Sequence, residues 1–370
     1  MHKKLLAAAI ASTLSLAGPV LADATSDRLA AMEQRLSYLE QRVRSQDQVI
    51  AEKNREISEL RQANGSDGGW FQNVEIGGLV EIEAGHTSAD GAADESDISV
   101  PTVEIGIAAQ VNDWVAAEVV ALYEDEGDSS GELNIDTATV TIADPDSSWF
   151  VKGGQYALPF GVFETNMISD PLTLELAETA DAALEVGMDS DAFGASVYVF
   201  QGDQSDEIEN FGFNLGARTG GERFAAAANI GYINDLAESD AIVEDGTAMS
   251  GRTPAWTASV IVNAGDLTLI GEYVTATESI AAYANDEPSA YNLEAALAFS
   301  AMGKPASMAI GYQGTEDAAN TAGGQPESRV LSALGVQIMD GTSVAIEYAH
   351  EQAYDGSESD TLTGQLAVEF

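Results

Sequence analysis

The chain of 370 residues contains no cysteine, only 15 Lys and Arg residues and, after its first 22 residues, no long apolar run. Without cysteine, disulfide frameworks, thiolate metal sites and cysteine nucleophiles are excluded. The 61 Asp and Glu residues give a net charge of −46, which argues against nucleic-acid binding because phosphates need a basic surface. Three histidines, His2, His86 and His350, are too few to indicate a histidine zinc site or a Ser-His-Asp triad. The sequence therefore predicts no enzyme, no metal and no cofactor.

The charge divides the chain into two parts. Residues 1–61 hold nine of the 15 basic residues but only eight of the 61 acidic ones, so the remainder is strongly acidic. A composition change of this kind marks separate physical units. The predicted organisation is a signal peptide over 1–22, a periplasmic coiled coil over 23–63, a Gly-rich linker over 64–69 and a barrel over 70–370.

The first 22 residues have the features of a secretory signal peptide. Lys3 and Lys4 precede an apolar run from Leu5, and Val20-Leu21-Ala22 offers a cleavage site after Ala22. The run is too short to span a bilayer as a helix. The mature protein is therefore expected to leave the cytoplasm.

Residues 26–63 place apolar side chains at a seven-residue period, without Gly or Pro. This period predicts a coiled coil, whose seam would consist of Leu29, Met32, Leu36, Leu39, Val43, Ile50, Ile57 and Leu60. Polar Gln46 and Lys53 interrupt the seam, so the number of helices stays open. A single amphipathic helix lying on the rest of the protein is the alternative.

From Trp70 onward the apolar residues alternate at every second position, which is typical of strands with one polar and one apolar face. Sixteen such segments lie near 71–87, 98–110, 114–124, 132–142, 148–156, 182–188, 192–201, 210–219, 223–233, 255–263, 267–275, 290–300, 306–313, 328–338, 342–352 and 360–370. The links after the even-numbered segments are short, whereas most of the others are long and polar. This alternation places all tight turns at one end, as in outer-membrane barrels.

Aromatic residues fall near both predicted ends of the strands. Those near the tight turns are Trp70, Trp114, Trp149, Phe193, Phe224, Phe299 and Phe370. Those near the long loops are Tyr123, Tyr156, Phe200, Tyr232, Tyr273, Tyr291, Tyr312 and Tyr348. Two aromatic rings are typical of the two lipid–water interfaces. The sequence thus predicts an all-β transmembrane barrel of about 16 antiparallel strands in the bacterial outer membrane, preceded by an α-helical coiled coil in the periplasm.

A barrel of 16 to 18 strands encloses an aqueous channel. The candidate pore-lining residues are Glu75, Glu81, Glu83, Glu104, Glu118, Asp136, Lys152 and Arg218. The loop after the fifth predicted strand is unusually apolar and is expected to fold inward and narrow the channel. Its candidate constriction residues are Phe160, Phe163, Glu164, Asp170, Glu175 and Glu178. Packing of this loop against a neighbouring subunit is the alternative.

The excess of acidic residues has more than one interpretation. Rings of carboxylates in a pore favour cations. The polar inner face of a water-filled barrel nevertheless needs no ligand, and adaptation to high salt would also spread acids over exposed loops, as in Glu124-Asp125-Glu126. All three interpretations stay open at the level of sequence.

A family resemblance narrows the expected solute. The order of signal peptide, short coiled coil, Gly-rich joint and Glu-rich first strand resembles the LbtU family of siderophore porins. The stretch Lys152-Gly153-Gly154-Gln155-Tyr156-Ala157-Leu158-Pro159-Phe160-Gly161 also resembles phosphate-selective and related substrate-specific porins. The resemblance implies passage of a ferric siderophore without an energised plug. Phosphate is disfavoured, because the barrel segment has only six basic residues, Lys152, Arg218, Arg223, Arg252, Lys304 and Arg329.

The expected function is therefore passive admission of a small solute, with ferric siderophore implied by the resemblance, through a homotrimer embedded in outer-membrane lipid. A general cation-preferring porin is the alternative transporter. In a different class of protein, a structural tether, the coiled coil would bind the cell wall and the barrel would only anchor it.

Overall fold

The computed structural model describes residues 73–124, 133–202, 207–221, 223–244, 251–321 and 324–370. The predicted signal peptide, the coiled coil with its whole seam, and the Gly-rich linker lie outside these residues. Among the described residues, no helix is long and apolar enough to cross a membrane.

The described residues form 17 β-strands in a single antiparallel sheet. The strands are β1 (Val74–Ala89), β2 (Glu95–Ser99), β3 (Thr102–Asn112), β4 (Val115–Glu124), β5 (Leu133–Ala143), β6 (Trp149–Ala157), β7 (Ala180–Asp189), β8 (Phe193–Phe200), β9 (Asn210–Thr219), β10 (Phe224–Ile233), β11 (Ala255–Ala264), β12 (Leu267–Ala276), β13 (Ser289–Ala301), β14 (Lys304–Glu316), β15 (Ser328–Met339), β16 (Thr342–Gln352) and β17 (Glu358–Glu369). The connections contain α1 (Leu172–Ala177), a 3₁₀ helix (Leu236–Glu238) and α2 (Asp240–Glu244).

The sheet closes into a barrel because its first and last strands pair. Residues Leu79–Ala89 of β1 pair with β17. On its other edge, β1 pairs first with β3 and then with β2, so β2 and β3 are two pieces of one barrel strand. They are interrupted at Val100-Pro101, where the proline cannot donate a ladder hydrogen bond. The barrel therefore has 16 strand positions, which confirms the predicted count.

The tight turns lie at one end of the barrel and the long connections at the other, as predicted. Gly265-Asp266 joins β11 to β12, and Met302-Gly303 joins β13 to β14. At the turn between β15 and β16, Gly341 has a φ of 64°. A Cβ atom there would lie 2.3 Å from the backbone oxygen of Glu369, so this turn requires glycine.

Apolar side chains at alternate positions form the outer face of the barrel. On β12, exposed Leu269 and Tyr273 alternate with buried Ile270 and Glu272. Along the other strands, outward and inward residues alternate in the same way. Most of the exposed Ile, Leu and Val residues therefore lie outside, as expected of a surface that contacts lipid.

The aromatic pattern differs in part from the prediction. Tyr156 and Phe200 are only 3% and 1% exposed and belong to the core inside the barrel, so their predicted place in an outer ring is wrong. Their side chains touch apolar residues of the protein and not lipid, because the connection after β6 fills the lumen beside them. The outer face at the long-loop end instead carries Phe211, Phe213, Tyr232, Trp256, Tyr273, Tyr291, Tyr312 and Tyr348.

Candidate functional site

The connection between β6 and β7, residues 158–179, lies inside the barrel and is called the inner loop below. Its two ends meet where the Leu158 amide donates to the Thr179 carbonyl at 2.8 Å, directly beyond the last pair of the β6–β7 ladder, Ala157 with Ala180. The loop is therefore closed at its base, and the residues between these two ends extend into the lumen.

Apolar packing holds the first part of the inner loop and α1 against the wall. Phe160, Leu172 and Leu176 are almost fully buried. They share one core cluster with inward-facing side chains of the barrel such as Tyr198 and Val274. Burying a large apolar side chain contributes about 1.5–3 kcal/mol, which explains why this loop is apolar in sequence.

Glu272 on β12 provides the first polar anchor for the inner loop. Its carboxylate accepts hydrogen bonds from the backbone amides of Val162 at 2.8 Å and Phe163 at 3.0 Å. The Thr173 hydroxyl donates to the same carboxylate at 3.1 Å. Glu272 therefore binds both the first part of the inner loop and α1.

Glu294 on β13 and Glu347 on β16 repeat this arrangement further along the loop. Glu294 accepts from the Thr165 hydroxyl at 2.7 Å and the Asn166 amide at 2.8 Å. Glu347 accepts from the Ile168 amide at 2.6 Å and from the Ser169 amide and hydroxyl. An extended chain thus presents donors to a new wall carboxylate every three residues.

Strands β14 and β15 hold the far end of the inner loop. Gln313 accepts from the Leu172 amide at 3.2 Å. Arg329 donates to the Asp170 carbonyl at 3.1 Å and pairs with Glu175 at 2.8 Å. It also pairs with Glu351 at 2.5 Å. Five consecutive strands, β12 to β16, therefore each supply one inward side chain that binds the inner loop directly.

The three anchoring carboxylates are buried without a basic partner among their hydrogen bonds. Glu272, Glu294 and Glu347 are 4%, 5% and 2% exposed. Neutral N–H and O–H donors from the loop provide the hydrogen bonds that a buried charge requires. If the loop moved away, each carboxylate would lose these donors, so the contacts fix the loop strongly in place.

A glycine lets the loop come close to the wall at one point. A Cβ atom at Gly231 on β10 would lie 2.6 Å from the Thr257 hydroxyl and 3.4 Å from the ring of Phe160. A side chain here would therefore displace the Thr257 hydroxyl, and its Cβ atom would already touch the Phe160 ring at ordinary contact distance.

Two carboxyl groups of the inner loop, those of Glu175 and Glu178, have raised pKa values. Burial raises the pKa of Glu175, and the Arg329 guanidinium opposes that rise. Burial raises the pKa of Glu178 to about 7, with a smaller contribution from the negative charges of Asp240, Asp170, Glu124 and Asp136. Glu178 therefore lies among acids of several elements and titrates near neutral pH.

The wall formed by β1 and β3–β5 carries acidic side chains and no such packing. Glu81, Glu83, Glu104 and Glu118 have the parity opposite to the exposed Ile82, Ile105 and Val119, so they face the lumen. Glu83 accepts a hydrogen bond from Gln365 at 2.9 Å. Asp136 occupies a bulge in β5, since Thr137 and Ile135 pair with the adjacent residues Val120 and Ala121.

The remaining candidate residues lie in different surroundings. Glu75 is exposed near the tight-turn end of β1, and the Lys152 ammonium lies 3.6 Å from the centre of the Tyr156 ring. Arg218 lies at the tight-turn mouth and pairs with Asp189 at 2.6 Å. On the inner loop, Glu164 and Asp170 are exposed and Phe163 is half-buried, whereas Phe160 is buried beneath the loop.

The anchoring residues Glu272, Glu294, Gln313, Arg329 and Glu347 were not among the candidates from sequence. Each is a polar residue at an inward-facing position of its strand, and this much can be recognised from the local sequence. The partner on the loop is not local, because 179 residues separate Ile168 from Glu347. Only the closed barrel brings the two together.

The closed antiparallel barrel of 16 strand positions is like that of outer-membrane porins. No family model matches the chain. It is similar to a UPF0422 protein of Coxiella burnetii, with 25% identity over 311 residues that cover 78% of this chain and 66% of that protein. The chain thus spans just under two thirds of the length of this relative.

Solved structures show the same fold at low sequence identity. The outer-membrane channel DcaP of Acinetobacter baumannii has a TM-score of 0.57 and 13% identity, covering 80% of this chain and 97% of DcaP. The trimer form of OmpT of Vibrio cholerae has a TM-score of 0.51 and 13% identity, covering 80% of this chain and all of OmpT, 100%. At these identities the likeness concerns the fold alone.

Proposed function

We propose that this protein is a passive outer-membrane pore for small solutes and that it prefers cations. The observation that carries the proposal is the inner loop, which is anchored to β12–β16 and lies in the lumen that the acidic wall of β1 and β3–β5 also lines. A narrowed passage between charged groups raises the local concentration of ions of opposite sign. Acids predominate here, because the inward basic residues Lys152, Arg218 and Arg329 all contact other groups of the barrel.

The resemblance to siderophore porins adds a finer proposal about the solute. A ferric siderophore would have to pass the acidic wall and the exposed carboxylates of Glu164 and Asp170. Because like charges repel, we infer that only siderophores without net negative charge are admitted. The same electrostatic argument excludes phosphate as the preferred solute.

Single-channel recording in a planar bilayer tests both proposals. We expect steady current with a reversal potential that indicates cation preference in a salt gradient, and current block by a cationic but not by an anionic ferric siderophore. Current that no siderophore blocks would leave a general cation-preferring porin. Folded, inserted protein that carries no current would overturn the pore and favour a structural tether.

We also infer a homotrimer, in line with the trimeric neighbour of the same fold, and place its contact on β2–β5. The buried core among the described residues takes no side chain from β1–β5, so this wall has water on its inside and no internal support. Its outer face at the long-loop end has Tyr123 as its one described aromatic and otherwise exposes aliphatic residues, including Ile98, Leu133 and Ile135. Because lipid interfaces favour aromatic residues, a face that has so few of them at this level suits contact with protein.

The absence of cysteine allows a direct test of this contact. We expect Ile135→Cys to give cross-linked trimers with a short trifunctional maleimide in native membranes, because each protomer then carries a single thiol and a bifunctional reagent could join only two of them. Ile310→Cys on β14 is the matched control, since Ile310 is also an exposed isoleucine of the outer face and lies on the aromatic side. Cross-linking through residue 310 and not 135 would place the contact on the other wall, and no cross-linking at either would indicate a monomer.

A further inference from the structure

A cavity of about 590 Å³ lies between the inner loop and the wall at the tight-turn end of the barrel. Its lining comes from the loop segment 164–166 and from inward residues of β9–β12. Cavities of this size hold small organic molecules. The cavity is therefore large enough for a small organic solute.

One side of the cavity carries a guanidinium that the wall holds in place. The Arg218 Nε atom donates to the Asp191 carbonyl at 3.3 Å, and Nη2 donates to the Asp189 carboxylate at 2.6 Å and to the Ser190 carbonyl. The third nitrogen of the guanidinium, Nη1, takes part in none of these three hydrogen bonds with the described residues. A fixed guanidinium with a free N–H edge is suited to a carboxylate.

The neighbouring wall adds a neutral donor. The Asn263 amide oxygen accepts from the Thr268 hydroxyl at 2.8 Å, which fixes the orientation of this side chain. Within the described part of the chain, the amide nitrogen of Asn263 has no protein partner. Both donors, from Arg218 and Asn263, line the same cavity.

The loop side of the cavity carries a negative charge. Glu164 is exposed, and its carboxylate accepts no hydrogen bond from the described residues. Its backbone is fixed because the next two residues, Thr165 and Asn166, are both bound to Glu294. Apolar Ile261 and Ile270 line the wall of the cavity. The cavity thus offers the carboxylate of Glu164 on the loop side, N–H donors beside Asp191 on the wall side, and an apolar surface.

We propose that this cavity is a transient binding site for zwitterionic solutes of amino-acid to short-peptide size. The ammonium group of the solute would bind Glu164, and its carboxylate would bind Arg218 and Asn263. This inference rests on the proposed pore and names a class of solute for it. A solute that lacks either charged end loses one of the two contacts and is expected to bind more weakly.

Three peptides of nearly equal size test the inference by current block in single channels. Triglycine has both charged ends, N-acetyl-triglycine lacks the ammonium group and triglycinamide lacks the carboxylate. We expect triglycine to block at a concentration at least tenfold lower than either analogue. Equal block by all three peptides, or block by none while the channel conducts, would overturn the binding site and leave the pore intact.

Substitutions assign each end of the solute. We expect Arg218→Gln to remove the advantage of triglycine over triglycinamide, and Glu164→Gln to remove its advantage over N-acetyl-triglycine, whereas Arg218→Lys keeps the first in part. Arg252→Gln is the matched control, because Arg252 pairs with Glu209 in the long loops. If Arg252→Gln reduced block as strongly as Arg218→Gln, the effect would come from overall charge and the site would be wrong. A channel that conducts nothing would instead contradict the proposed function.

Discussion

Neutralising the acidic wall is expected to abolish the cation preference of the pore. The variant carries Glu81→Gln, Glu83→Gln, Glu104→Gln, Glu118→Gln and Asp136→Asn. A carboxylate about 8 Å from an ion on the pore axis contributes about 0.5 kcal/mol in water, and 0.1 M salt reduces this roughly twofold. Five carboxylates therefore favour a cation by about 1 kcal/mol and disfavour an anion equally, so the permeability ratio should fall by at least about tenfold. Reversal potentials measure this ratio directly.

A control variant with the same change in net charge separates the wall from the acidity of the whole chain. Asp90, Asp94, Glu278, Glu316 and Asp317 are exposed and belong to the long-loop end, so replacing them with amides leaves the wall intact. We expect their loss to change the permeability ratio less than twofold, because charges more than a Debye length from the pore are screened. An equal fall in both variants would mean that the acids act as a general surface charge, as adaptation to high salt would predict.

The barrel could be predicted from the sequence because its signals are local. Alternation at every second residue and the short turns can be recognised locally in the sequence. They predict the strand number, the strand limits to within three residues, and which connections share an end of the barrel. One strand was more complex than predicted, since Pro101 divides it into β2 and β3. That division changes no pairing order, because both pieces bind the same edge of β1.

The interior could be predicted only in outline. Alternation shows which residues share a face, but it does not show whether water or protein covers that face. Tyr156 and Phe200 were therefore placed outside, although they support the inner loop. The apolar composition of residues 158–179 did indicate an inward loop, but its anchors Glu272, Glu294 and Glu347 lie between 99 and 179 residues from their partners in the chain. Their role depends on the closed register of the barrel.

Removing the three anchoring carboxylates is expected to release the inner loop. In the variant Glu272→Gln, Glu294→Gln and Glu347→Gln, each amide has one acceptor oxygen and an NH₂ group that faces the donors of the loop. Losing a hydrogen bond to a charged group costs about 1.5–3 kcal/mol. For a loss of about 2 kcal/mol at each anchor, opening of that segment should become roughly 30-fold more frequent. Hydrogen exchange of the amides in residues 162–169 should accelerate accordingly.

Conductance reports the same release at the level of the pore. A loop that leaves its anchors part of the time should produce larger and noisier single-channel currents, since the lumen widens whenever residues 162–169 move. Glu185→Gln is the matched control, because Glu185 is also buried on the inner wall but accepts its hydrogen bond from Tyr156, on a strand. Faster exchange with unchanged conductance would mean that the loop does not limit the current. Unchanged exchange would mean that apolar packing of Phe160, Leu172 and Leu176 holds the loop without the carboxylates.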